Sequence, residues 1–237
     1  MRARFKHLGR AAVCAIVLLL APSAGQAAIL APGDTAMPDL LTDAVLFSSV
    51  VAFVDEVPFS NLLYSGNLSA AVVETASGTL DFYYQITNNP TSSSTLRRNT
   101  EAVFTQGSTV FLTDVYYRDD PSGLGSLFTA GDAGATPLSA DRSLFDGGEV
   151  VGFNFGLATP GINPGETSRI LVIRTNAVAF TTGFSALING ITTNVDTFAP
   201  AAAPVPEPAS LLLLSSAFAA AGYMARHRAK RRKPTSA

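Results

Sequence analysis

A length of 237 residues and a formal charge of −2 conceal a sharp division of charge along the chain. Ten of the 16 lysines and arginines lie before residue 28 or after residue 225, so residues 28–204 hold six arginines against seventeen acids, a net charge of −11. This central segment has no Cys, His or Lys, which excludes disulfides, Ser–His and Cys–His pairs, a lysine nucleophile and the usual His/Cys metal sites. An acidic surface of this kind repels phosphate backbones, so no nucleic-acid partner is expected.

The first segment, 1–27, reads as a secretory signal peptide. Arg2, Arg4, Lys6 and Arg10 form a basic start, Ala11 to Ala21 is an apolar run, and Pro22 to Ala27 is a small-residue exit with Gly25 and Ala27 at −3 and −1 of a plausible cut. Eleven apolar residues are too few to span a bilayer comfortably, so export is expected rather than anchoring.

Residues 28–198 are expected to form one β-domain. Runs rich in Val, Phe, Tyr, Ile and Thr alternate with Gly, Asn, Asp and Pro. Leu46 to Val54 is one such run, and Leu62-Leu63-Tyr64 opens another. Ser69–Thr75 and Thr79–Asn88 flank Ser77-Gly78 as a hairpin. In the second of these, Leu80, Phe82, Tyr84 and Ile86 share a face against Asp81, Tyr83, Gln85 and Thr87, the period of two that marks a half-buried strand. Pro90 to Thr95 reads as a solvated, mobile loop. Glu101–Gln106 and Thr109–Tyr117 are further strands, and Arg118 to Thr136 is a long irregular stretch of the sort that carries binding sites. Glu149 to Phe155 aligns Val151, Phe153 and Phe155. Ser168 to Phe180, apolar on both faces around Ile170–Ile173, predicts a central strand. Asn189-Gly190 between Phe184–Ile188 and Ile191–Val195 is a strong hairpin signal. The fold class expected is all-β, an antiparallel β-sandwich of nine or ten strands, with the signal peptide before it and a single C-terminal transmembrane helix after it. Residues 199–204, Ala-Pro-Ala-Ala-Ala-Pro, read as an extended linker.

The tail, 205–233, has three parts. Pro206-Glu207-Pro208 is a stiff, extended triplet bearing one carboxylate. Residues 209–225, including Leu211, Leu212, Leu213 and Leu214, carry no formal charge and at about 1.5 Å per residue would cover roughly 25 Å of bilayer as a helix. Arg226, Arg228, Lys230, Arg231, Arg232 and Lys233 (within 226–233) would hold the far end in the cytoplasm. Taken alone, the apolar and basic parts describe an ordinary single-span anchor.

With the triplet in front of them, these parts resemble the PEP-CTERM sorting signal of Gram-negative, exopolysaccharide-producing bacteria. The resemblance covers about 29 of 237 residues. It implies processing by an exosortase, with Pro206, Glu207 and Pro208 as recognised residues and no catalytic role for them. It also implies an exported protein whose ectodomain faces the periplasm at the inner membrane before reaching the cell surface or extracellular matrix. A structural or adhesive role in a biofilm or exopolysaccharide matrix is then expected, with a membrane-anchored carbohydrate-binding module as the alternative. The strand-and-turn pattern is similar to the β-rich ectodomains on such proteins, which implies no activity.

No catalytic, cofactor-binding or metal-binding residue is assigned. Asp114, Asp119, Asp120, Asp132, Asp141, Asp146 and Glu149 crowd 36 residues and are the oxygen ligands calcium takes, but no EF-hand spacing joins them. Tyr83, Tyr84, Tyr116 and Tyr117 offer stacking faces for a sugar, although strand alternation turns one of each pair inward. Seventeen acids also make a carboxylate pair for glycoside hydrolysis conceivable, without placing one.

Overall fold

A computed structural model describes residues 29–46, 49–107, 109–156 and 161–203. The signal peptide expected over 1–27 and the sorting signal expected over 205–233, with all its candidate recognition, anchor and basic residues, lie outside the described residues. Among those described, no helix is long and apolar enough to cross a membrane.

Fourteen strands follow in chain order: β1 (Thr35–Ala36), β2 (Asp39–Leu40), β3 (Val50–Ser60), β4 (Ser65–Glu74), β5 (Leu80–Asn88), β6 (Arg98–Glu101), β7 (Thr105–Gln106), β8 (Thr109–Val110), β9 (Thr113–Arg118), β10 (Ser139–Arg142), β11 (Val151–Asn154), β12 (Ile170–Thr175), β13 (Ala179–Asn189) and β14 (Ile191–Ala201). Four are two-residue pieces, which leaves ten of four residues or more. Two six-stranded sheets form, in the orders β2-β9-β12-β5-β4-β3 and β1-β10-β11-β6-β13-β14, and β7-β8 is a small hairpin of its own. Their pairings are antiparallel except β2 with β9.

Alternation along each strand sends one set of side chains between the sheets. Leu68, Ala70 and Val72 of β4, Phe82, Tyr84 and Ile86 of β5, and Leu171 and Ile173 of β12 meet Val151, Phe153, Leu187 and Val195 of the other sheet in one buried cluster. The result is sandwich-like. The hydroxyl of Tyr84 crosses this layer to the carbonyl of Phe198 at 2.9 Å. That of Tyr64 lies within reach of the carbonyls of Leu187 (2.6 Å) and Ile191 (2.7 Å).

Both open sides of the layers are closed, which protects the sheet edges from strange strands. On one side β1 and β2 are successive pieces of one extended segment that switches sheets at 37–38. On the other the edge strands β3 and β14 touch. Pro58 and Pro200 sit in these edge strands, the positions where a missing N–H is tolerated.

Several expectations are met and several corrected. The Ser77-Gly78 and Asn189-Gly190 hairpins form, with Gly190 at φ +76° joining strands of 11 residues each. β12 is central, between β9 and β5. The 46–54 run starts as strand only at Val50, and Leu62-Leu63-Tyr64 is the turn before β4. β14 continues through Ala201 and buries Ala199, so the first half of the expected linker is strand. The Pro90–Thr95 loop is pinned: Ser92 bonds Ser65, Ser93 bonds the Leu63 carbonyl and Thr95 bonds Asn163.

The largest correction concerns β5, which is buried on both faces instead of one. Its second face lies under the Arg118–Thr136 stretch. Leu124, Leu127 and Phe128 pack there on Tyr83, Tyr116, Ile170 and Val172, with Leu41 beside them, as a second apolar cluster. The long irregular segment is thus a lid that supplies core residues over one sheet.

Candidate functional site

Register arithmetic lines up two rows on the lidded face. Arg174 pairs with Asp81 on one side and Asp114 on the other, and the next row is Tyr83–Val172–Tyr116. The apolar lid covers the second row; in the first, Asp81 is buried while Arg174 and Asp114 stay partly exposed. Arg174 donates from Nε to Asp81 (3.1 Å) and from Nη2 to Asp43 (2.7 Å), and its guanidinium stands 5.2 Å from the ring centre of Tyr116. Asp43 comes from the segment before β3, whose backbone is also held by Arg118 through the Asp43 carbonyl at 2.6 Å.

Clefts open around this clasp. One of about 540 Å3 is lined by Asp43, Val45, Glu74, Asp81, Tyr83 and Arg174. A second of about 400 Å3, on the Tyr116 side, shares Asp43 and Arg174. Burial raises Asp81 to about 6 in spite of the attraction of Arg174, which acts in the opposite direction. Burial also raises Asp114, one of whose oxygens is buried without a partner among the described residues. The arrangement is a latch in which one guanidinium serves two carboxylates, one of them poised to titrate.

Among the described residues, no segment covers the outer face of the other sheet. Across it run the rows Asp141–Gly152–Thr100–Ala186–Asn194 and Ser139–Asn154–Arg98–Ile188–Thr192. Arg98 reaches back over Gly152 to grip Asp141 through two bonds, 2.5 and 2.7 Å, and also bonds Asn154 at 2.5 Å. Asn154 closes the triangle by donating to Asp141 at 2.7 Å. These bonds hold Asp141 below the usual carboxylate range. A groove of about 450 Å3 lies beside the triangle, lined by Arg98, Asn154, Gly156, Ile188 and Asn189 among others.

A third polar group is sealed inside. Glu101 is fully buried between the sheets, its Oε1 accepting from Asn99 Nδ2 (2.6 Å) and Ser185 Oγ (2.9 Å). Its Oε2 has no partner among the described residues, and burial pushes the acid up to about 8. It is therefore a neutral carboxylic acid at pH 7.

The residues singled out in the sequence separate in space. Asp120 caps its own turn through the Ser122 N–H, Asp132 accepts from the Thr167 N–H, Asp141 serves Arg98, and Asp114 lies beside Arg174. No three acidic groups gather to hold a metal ion among the described residues. Tyr83, Tyr84 and Tyr116 are buried in the core, and Tyr117 is half-buried. The Arg174 latch, the Arg98 triangle and Glu101 were not legible beforehand. The one usable signal was Gly152 inside an otherwise apolar strand, a mark of close approach.

Comparison with known protein families, curated proteins and solved structures returns no significant match for this chain.

Proposed function

We propose that the protein is exported, held at the inner membrane by its tail, sorted by an exosortase, and deployed as a structural or adhesive component of an exopolysaccharide matrix. The observation that carries this reading is the ordered tail: Pro206-Glu207-Pro208, then the uncharged run 209–225, then the basic cluster from Arg226 to Lys233. A sealed, ten-strand β-domain with closed edges suits a surface role, because it offers no free strand to aggregate in a crowded matrix. The test is intact-mass analysis of protein from membrane, periplasm and matrix of the native host. Species ending near residues 206–208, absent when the exosortase is deleted, are expected. Full-length protein alone, retained in the membrane, would make the tail a plain anchor.

The second reading is a carbohydrate-binding module, and the Arg98–Asp141–Asn154 triangle on the open sheet face favours it. A fixed carboxylate and guanidinium beside an apolar Ile188 match a neutral sugar ring, which needs hydroxyl partners and a C–H face together, with Asn154 holding the two charged groups in place. Affinity electrophoresis of the full chain through gels holding neutral polysaccharide would show retardation that Asn154→Ala removes. Equal mobility with and without polysaccharide would dismiss it.

A further inference from the structure

The two ends of the described chain leave from the same end of the sandwich. Ile29 bridges Asp114 and Leu30 donates to the Thr113 carbonyl, at the start of β9. Thr113 pairs with Thr175 at the end of β12, and Ala179, just beyond it, pairs with Ala201. The connections gathered at this end are 75–79, 111–112, 143–148 and 176–178, with β8 beside 143–148.

This end is also the apolar one. Ile29, Val110, Leu112, Leu144, Phe145 and Val178 are all exposed here, Phe145 to 79% and Leu144 to 69%. Within these four connections, 29–33 and 199–203 the one charged residue is Asp146, and the exposed Asp34 and Glu74 and the partly exposed Asp114 and Arg174 flank them. Singly exposed apolar residues are ordinary, but six of them gathered at one end mark a contact surface. The opposite end differs: Asn61, Asn89, Ser92 to Ser94, Asn163 and Asn189 supply hydroxyls and amides around a single strongly exposed apolar residue, Leu62.

Phe145 is held out by construction. The 3₁₀ turn Phe145–Gly147 is closed by the Gly148 N–H on the Phe145 carbonyl, with Asp146 at φ +52° and Gly148 at φ +88°. Beneath it the buried Arg142 gathers the carbonyls of Leu30, Phe104, Phe111 and Gly148, so the connections are fixed to one another.

We infer that this apolar end rests on the bilayer, with Phe145 and Leu144 entering the headgroup–acyl boundary. The inference deepens the tail reading above and rests on it. Ala203 leaves from this end, and the uncharged run starts at Ala209. Six residues at no more than about 3.5 Å each keep the domain within roughly 20 Å of the bilayer. A rigid aromatic and aliphatic rim is what an interfacial contact uses. The hydroxyl-rich end then points away from the membrane, and the outer sheet face stands to the side.

The chain has no tryptophan, so a single one reports without background. Three full-length variants, Phe145→Trp, Leu62→Trp at the opposite end and Leu213→Trp in the tail, would be reconstituted in vesicles of phosphatidylethanolamine and phosphatidylglycerol with brominated acyl chains. Phe145→Trp emission is expected to fall about twofold against unbrominated vesicles, as for an indole at the acyl boundary, with Leu62→Trp unchanged. Quenching of Leu213→Trp alone would overturn the membrane contact and leave the tail reading standing. A concentration-dependent blue shift of Phe145→Trp without quenching would assign the rim to a second copy of the chain and also overturn it. Quenching of none of the three would remove the tail reading, and this inference with it.

Discussion

The guanidinium of Arg98 lies directly across Gly152: a Cβ built at position 152 would meet Nη2 at 2.3 Å and Cζ at 2.6 Å. The glycine is there because the arginine must pass over the strand to reach Asp141. Gly152→Ala is therefore expected to lift Arg98 off its partners and cost on the order of 1–3 kcal/mol, measured by urea unfolding. Asp141 has a depressed native pKa, so the stability it contributes is present above the ordinary carboxylate value and is lost as pH falls through its folded value. The gap between wild type and Gly152→Ala should accordingly shrink in acid. A gap that stays constant with pH would separate the glycine from the ion pair.

Glu101 sets the opposite slope. Its folded pKa, about 8, stands above the ordinary 4.5, so the folded protein keeps a proton that the unfolded chain releases. The stability it adds is fully present below about 4.5 and is lost as pH rises to about 8, at up to roughly 1.4 kcal/mol per pH unit. Glu101→Gln preserves the Oε1 acceptor and cannot ionise. Unfolding free energies measured from pH 5 to 9 should fall with pH in wild type and run flatter in the variant.

Arg174→Met tests the latch. Without the cation, Asp81 loses the one nearby group that favours its ionised form, so its pKa climbs further above 6. The variant should be destabilised more at pH 8 than at pH 5, and Asp43 should release the segment before β3 to faster hydrogen exchange. Equal losses at the two pH values would show that Arg174 acts by packing against Tyr116 instead.

The lid can be tested on Phe128, which packs on Tyr83 with ring centres 6.5 Å apart. Phe128→Ala should cost about 3–5 kcal/mol as a core truncation. It should also bring Tyr83, which burial pushes up to about 12, back toward the ordinary 10. Tyrosine-labelled NMR titration distinguishes this from a loose surface loop, for which neither quantity would move.

Much of the strand layout was legible because it is local. Ser77-Gly78 and Asn189-Gly190 announce hairpins through their own backbone preferences, and Ile170 to Ile173 announces a central strand through unbroken apolarity. The half-buried reading of β5 went wrong for the same reason: Asp81, Tyr83, Gln85 and Thr87 look like a solvent face until Phe128, more than forty residues later, covers it. Gln85 is instead satisfied by the backbone of Thr129 and Ser168, far along the chain. The acids from Asp114 to Glu149 illustrate the converse, neighbours in sequence that alternation and strand crossing carry to different faces and ends.

The sequence by itself determined that the central domain is a β-structure without cysteine or histidine chemistry, because periodicity, turn residues and missing residue types are properties of the chain alone. Which carboxylate meets which arginine was decided only by the tertiary structure. Arg174 meets Asp43 and Asp81, and Arg98 meets Asp141, across separations of 131, 93 and 43 residues. Such pairings depend on sheet register and strand order, in which a shift of one residue turns every side chain to the other face. No local pattern encodes that choice, and only the packed sheets make it.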